Sequence, residues 1–158
     1  MKHYFLSMTV ALIVIGCSRP IDFDSLNQRN GVWYEVNSTK PYTGCVVSYD
    51  GYGNLEKELI MKRGVVHGEC IGYHSNGQVE IRTDFRRGVE HGKSTMYFRS
   101  GQVDTETNFK KGIPHGKFRS YYENGQLKQK GKYKNGRKRG EWTLYNKNGS
   151  VKRTAQHH

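Results

Sequence analysis

Three histidines, His67, His91 and His115, recur at intervals of 24 residues, and a column of imidazoles is a pattern from which a metal centre can be built. Spacing argues against one. On alternate strands of a meander, equivalent residues stand two strand spacings apart, about 9.6 Å, whereas nitrogen ligands of a shared zinc lie about 2.0–2.1 Å from it. Each ring is expected instead to pack or hydrogen-bond beside the glycine that follows it. Cys45 and Cys70 are offset by 25 residues, which sets them on opposite faces with one strand between them. A Cα separation above about 7 Å forbids a bridge, so Cys70 is expected to pack as a small apolar residue. Acidic residues such as Asp104 and Glu106 have no partner carboxylate at matching positions for general acid–base work. There is no Gly-x-Ser-x-Gly elbow, no phosphate-binding glycine loop and no His-Glu-x2-His. The expectation is a protein with no catalytic residues, no cofactor and no metal.

The elements that place these residues are written in the glycines. Gly64, Gly88, Gly112 and Gly136 share one 24-residue phase, Gly44 through Gly140 a second and Gly53 through Gly149 a third, together 14 of the 19 glycines. Tyr49, Tyr73, Tyr97, Tyr121 and Tyr145 form a fourth phase. A fixed period of this length signals a repeat array whose core comes from stacking. Five units are expected, beginning at Lys40, Gly64, Gly88, Gly112 and Gly136. Within a unit, GECIGYH and QVEIRTDF flank Ser75-Asn76-Gly77, and Asn-Gly between such runs predicts a hairpin with a type I′ turn. The fold class expected is all-β: tandem antiparallel hairpins in an elongated, twisted meander sheet. Pairing Ser75 with Gln78 sets Gly68 opposite Phe85, whose ring is expected to cover the bare strand glycine. Gly68, Cys70, Gly72 and His74 then share a core face with Val79, Ile81, Thr83 and Phe85, while the Tyr column with Glu69, Glu80, Arg82 and Asp84 faces water.

GECIGYHSNGQ, and GKFRSYYENGQ with KKGIPHG before it, resemble the MORN repeat in its bacterial 24-residue variant. The resemblance covers residues 40–158. It implies the hairpin fold and a contact surface for protein or phospholipid, and, because proteins with this variant are often labelled antitoxin-like, a toxin as one class of partner. The first unit lacks the His-Gly pair, and Arg139 replaces His in the last.

The leader points to location. Lys2 and His3 precede an apolar run from Phe5 to Gly16, too short to span about 30 Å of hydrocarbon and of signal-peptide type. Val14-Ile15-Gly16-Cys17 resembles the bacterial lipobox, which implies cleavage before Cys17, its lipidation, and anchoring by two or three acyl chains. Ser18 favours outer-membrane sorting. The expected organisation is a signal over 1–16, a lipidated linker and a first strand over 17–39, and repeats over 40–158, facing the periplasm of a bacterial envelope.

Of 158 residues, 26 are Lys or Arg and 14 Asp or Glu, a formal charge of +12. The charge is segregated: residues 110–153 carry +12 and residues 17–109 carry −1. A tethered envelope protein does not meet chromosomal DNA, so nucleic acid is excluded as partner. Aromatic residues favour binding interfaces. The expected partner surface is Tyr73, Tyr97, Tyr121 and Tyr145 with the basic Lys128, Lys130, Lys132, Arg137, Lys138 and Arg139. A protein in the envelope, or anionic phospholipid lying against the basic end, is the expected occupant.

Overall fold

The structure, a computed structural model, describes residues 19–158; the leader and Cys17 lie outside the described residues. Five hairpins follow one another: β4 (Gly44–Tyr49) with β5 (Leu55–Lys62), β6 (Val65–Tyr73) with β7 (Val79–Arg86), β8 (Val89–Tyr97) with β9 (Val103–Lys110), β10 (Ile113–Tyr121) with β11 (Leu127–Lys134), and β12 (Arg137–Tyr145) with β13 (Val151–His157). The second strand of each of the first four hairpins also pairs antiparallel with the first strand of the next, and the parallel strand β1 (Ile21–Asp22) completes an open eleven-stranded sheet in the order β1-β4-β5 and onward to β13. The expected meander is present.

The turn inside each hairpin is not the type I′ turn expected from the sequence. Only Gly77 of the Asn76-Gly77 pair has positive φ. His74 O accepts from Gly77 N–H, and His74 N–H donates to Gln78 O, both at 2.8 Å, giving a three-residue loop with a left-handed glycine at its end. The type I′ turns lie between hairpins instead: Arg87 and Gly88 have φ of 55° and 77°, and the Arg63, Lys111 and Asn135 pairs match them. A strand-to-strand link of two residues needs positive φ twice, and glycine supplies the second at no steric cost. The predicted pairing from Gly68↔Phe85 to Gly72↔Ile81 nevertheless holds, because Tyr73↔Val79 skips Glu80 and a one-residue bulge absorbs the difference. The side chain of Asn76 reaches the next turn, donating to Arg99 O at 3.0 Å, and Asn124 does the same to Lys147 O.

The segment over 17–39, expected as a linker and a first strand, is folded over its described part. A 3₁₀ turn (Phe23–Ser25) leads into a hairpin of β2 (Leu26–Arg29) and β3 (Val32–Glu35). Leu26 and Tyr42 are buried with Val46 and Met61, and Phe23, Trp33 and Leu59 pack around them. Backbone bonds from Trp33 N to Gly64 O and from Gly64 N to Tyr42 O fix this cap on the first unit. The apolar residues Phe23, Leu26 and Trp33 are spaced too irregularly to announce a strand, and only the exposed sheet face of unit one gives them a surface to bury against.

The far end closes the same face differently. Phe118 and Trp142 stack with ring centroids 5.2 Å apart, and Tyr133 meets both edge-on. They meet over Gly131, where an added Cβ would lie 2.2 Å from the Trp142 ring. An aromatic does cover a strand glycine, therefore, but here rather than at Phe85 and Gly68, where a Cβ would meet Ile60 instead.

Candidate functional site

Directly paired residues in an antiparallel sheet share a face, and residues two apart on one strand do too. Arg119 pairs with Lys130, Lys130 with Thr143, Lys117 with Lys132 and Lys132 with Arg139, so these groups stand together on the face that carries Tyr121 and Tyr145. That face was expected to be amphipathic and wet. It is not: Cys45, Val47, Glu58, Ile71, Thr95 and Thr143 are all buried on it, while Met96 on the expected core face is 43% exposed. A one-layer sheet buries the middle of each strand under flanking side chains on both faces, and here tyrosines and long charged stems supply the cover.

The repeat makes the face directly comparable along the chain. Positions equivalent to Lys117, Arg119, Lys130, Lys132 and Arg139 hold Cys45, Val47, Glu58, Ile60 and His67 in the first cradle. They hold Glu69, Ile71, Arg82, Asp84 and His91 in the second, and Lys93, Thr95, Glu106, Asn108 and His115 in the third. The formal charge of these five positions runs −1, −1, 0 and +5.

The second and third cradles hold internal ion pairs. Both oxygens of Glu69 accept from Arg82 Nη1 at 3.2 Å. Lys93 Nζ lies 2.6 Å from Glu106, which also accepts from the Tyr121 hydroxyl at 3.0 Å and has Arg119 at 4.0 Å. The hydrogen bond from Lys93 holds Glu106 below the usual carboxylate range, and Lys93 is raised by the same bond. In the first cradle Glu58 is buried with Oε2 unpartnered among the described residues. Burial raises its pKa, and burial with Glu58 alongside pushes Tyr73 up to about 12.

The fourth cradle has no such balance. Lys117, Arg119, Lys130, Lys132, Arg139 and Glu141, with Phe118 and the bare backbone of Gly131 and Gly140, line a groove of about 350 Å³. All five cations are exposed. Among the described residues, none of Lys117, Lys130, Lys132 and Arg139 has an ion pair within 4.0 Å. Lys130 instead lies 5.6 Å over the Tyr145 ring, and a hydrogen bond with Tyr145 raises its pKa.

The residues expected to form the partner surface divide. Lys130, Lys132 and Arg139 line the groove, beside Tyr121 and Tyr145. Tyr73 and Tyr97 are half-buried on the same face, farther up the array. Lys128 lies over the Tyr122 ring, which belongs to a turn, and Lys138 lies 4.3 Å over Trp142 on the opposite face. Arg137 is exposed at the start of β12. Lys117 and Arg119 were missed because no local motif marks them; aligning the chain to itself at 24 residues reveals them, since Arg119 stands where Val47, Ile71, Thr95 and Thr143 are buried. The histidines act at turns: His67 Nδ1 accepts from Arg87 N–H at 3.4 Å and His115 Nδ1 from Asn135 N–H at 3.5 Å. Cys70 is a free thiol whose pKa is raised by burial.

Residues 66–86, 90–111 and 114–135 each match the MORN repeat variant. The chain carries three MORN-variant repeats. They coincide with units two to four of the sheet, and MORN repeats are in general protein- or membrane-binding repeats. No curated protein matches the chain. Among solved structures, a chain of the GtfA/B complex bound to UDP and GlcNAc is similar over 89% of this chain and 27% of its own length. Identity is 10% and the TM-score 0.30, and that likeness carries no argument. The groove lies across the third MORN-variant repeat and the hairpin that follows it.

Proposed function

We propose that this protein is a non-catalytic, lipid-anchored lipoprotein of the bacterial envelope whose MORN-variant sheet captures a protein partner. The observation that carries the reading is the fourth cradle, five exposed cations of which four have no ion pair within 4.0 Å among the described residues. Charged groups without internal partners contribute little to folding and much to complementarity with a partner. Cys17 supplies the anchor in this reading and Tyr121 and Tyr145 the flanking aromatic contacts. A toxin is one class of partner, which would make the protein an immunity-type lipoprotein of the outer membrane facing the periplasm. Metabolic labelling with a palmitate analogue tests the anchor: label is expected on the wild type and absent from Cys17→Ser. For the immunity version, deletion is expected to sensitise cells to a co-encoded or neighbour-delivered toxin; unchanged survival against all such toxins removes it. A second reading, the basic end resting on anionic phospholipid, is favoured by the +12 held in residues 110–153. Flotation with phosphatidylglycerol vesicles, reversible by salt, is its expected signature.

A further inference from the structure

We infer that the fourth cradle docks an extended acidic polypeptide segment, its Asp and Glu carboxylates alternating along the chain. The inference rests on the protein-capture reading and names the chemistry of the captured partner.

Spacing is the first argument. Lys117 and Arg119 lie two apart on β10, and Lys130 and Lys132 two apart on β11. In extended chain, side chains on one face recur about every 6.6–7 Å. A second extended chain laid along these strands presents carboxylates at every other residue with the same repeat, so successive acids meet successive cations. The two arginines, Arg119 and Arg139, add planar forks suited to bidentate carboxylate contact.

Charge pattern is the second. Lys117 faces Lys132, Lys132 faces Arg139 and Arg119 faces Lys130 across the ladder, and like charges directly opposite destabilise a sheet. The sheet itself does not need them: at the positions of Lys117 and Lys130, diagonal neighbours on the ladder, the second and third cradles hold the ion pairs Glu69 with Arg82 and Lys93 with Glu106. Within the cradle Glu141 is the one carboxylate of the lining, and Glu106 lies 4.0 Å from Arg119, which leaves Lys117, Lys132 and Arg139 for charges brought from outside. Shape is the third. The cations ring a groove of about 350 Å³ floored by strand backbone, a shape that a narrow strand enters and a flat bilayer surface does not.

The test uses the full lipidated chain in neutral detergent micelles and a fluorescent peptide of alternating Glu and Ser, read by anisotropy. Two triple variants remove equal charge: Lys117→Gln, Lys132→Gln and Arg139→Gln in the cradle, and Lys128→Gln, Lys138→Gln and Arg153→Gln outside it. The cradle variant is expected to bind roughly thirtyfold more weakly, and the control within about threefold of wild type. Equal losses in both would reduce binding to net charge and overturn the inference. So would failure of the wild type to bind the peptide, or binding to phosphatidylglycerol vesicles that the cradle variant alone loses while the peptide remains unbound. If a protein partner is still captured when the peptide is not, the capture reading stands and the acidic-segment inference falls. Circular dichroism of both variants keeps the comparison to folded protein.

Discussion

The third and fourth cradles share a backbone plan and differ in what fills it. In the third, Lys93 and Tyr121 converge on Glu106; in the fourth, the position of Glu106 is taken by Lys130 and that of Thr95 by Arg119. One repeat consumes its charges internally and the next displays them. Identical scaffolds with different side chains separate what the fold requires from what it carries, and the fold requires turn glycines, bulges and a covered middle of each strand. The charges of the last cradle lie outside that list.

The largest expected effect comes from giving the fourth cradle carboxylates where the second has Glu69 and Asp84. Lys117→Glu with Lys132→Glu is expected to weaken binding of an acidic peptide by about a hundredfold or more, while thermal stability stays level or rises because Arg119 and Arg139 gain partners. Weaker binding with a large stability loss would mean that the cations support the sheet.

Next in size is the steric difference beneath the cradle. The third repeat has Thr107 where the fourth has Gly131, and only the fourth stacks Phe118 on Trp142. Gly131→Ala is expected to destabilise by about 1–3 kcal/mol through overpacking, measured by urea unfolding, whereas Thr107→Ala is expected to cost less.

Glu106→Gln should break the neutral cradle, at a cost of about 1 kcal/mol. Its pH dependence has a definite sign. Glu106 has a lowered pKa in the folded state, so its contribution is present above the ordinary carboxylate range and lost as pH falls through the folded value. Stability measured against pH should therefore fall less steeply on the acid side in Glu106→Gln. Glu58 has a raised pKa and the opposite sign: the folded state is favoured as pH falls through that value. Glu58→Gln is expected to raise stability by up to about 1 kcal/mol at neutral pH, the smallest of these effects, and to flatten the dependence near that value.

The period, the five hairpins and the pairing of Gly68 with Phe85 were legible because turn glycines and alternating strands are local signals. Turn type was not, since an Asn-Gly pair serves both a two-residue and a three-residue loop, and the choice depends on where Glu80 bulges. The cap was not, because Phe23, Leu26 and Trp33 acquire a partner only once unit one exposes Val46 and Met61. Half of the basic surface was legible as a run of cations over 128–139. Its assignment to a face needed the sheet register, which sends Lys138 to Trp142 and brings Lys117 and Arg119 across from Lys132 and Lys130.

The central claim, that binding is localised to one cradle on one face, is most directly tested by amide chemical-shift mapping of the full chain with the acidic peptide. Shifts concentrated on β10, β11 and β12 around Lys117, Lys130 and Arg139, with β6 to β8 silent, are the predicted result. Shifts spread equally over Lys128, Lys138 and Arg153, or centred on the second cradle, would contradict it.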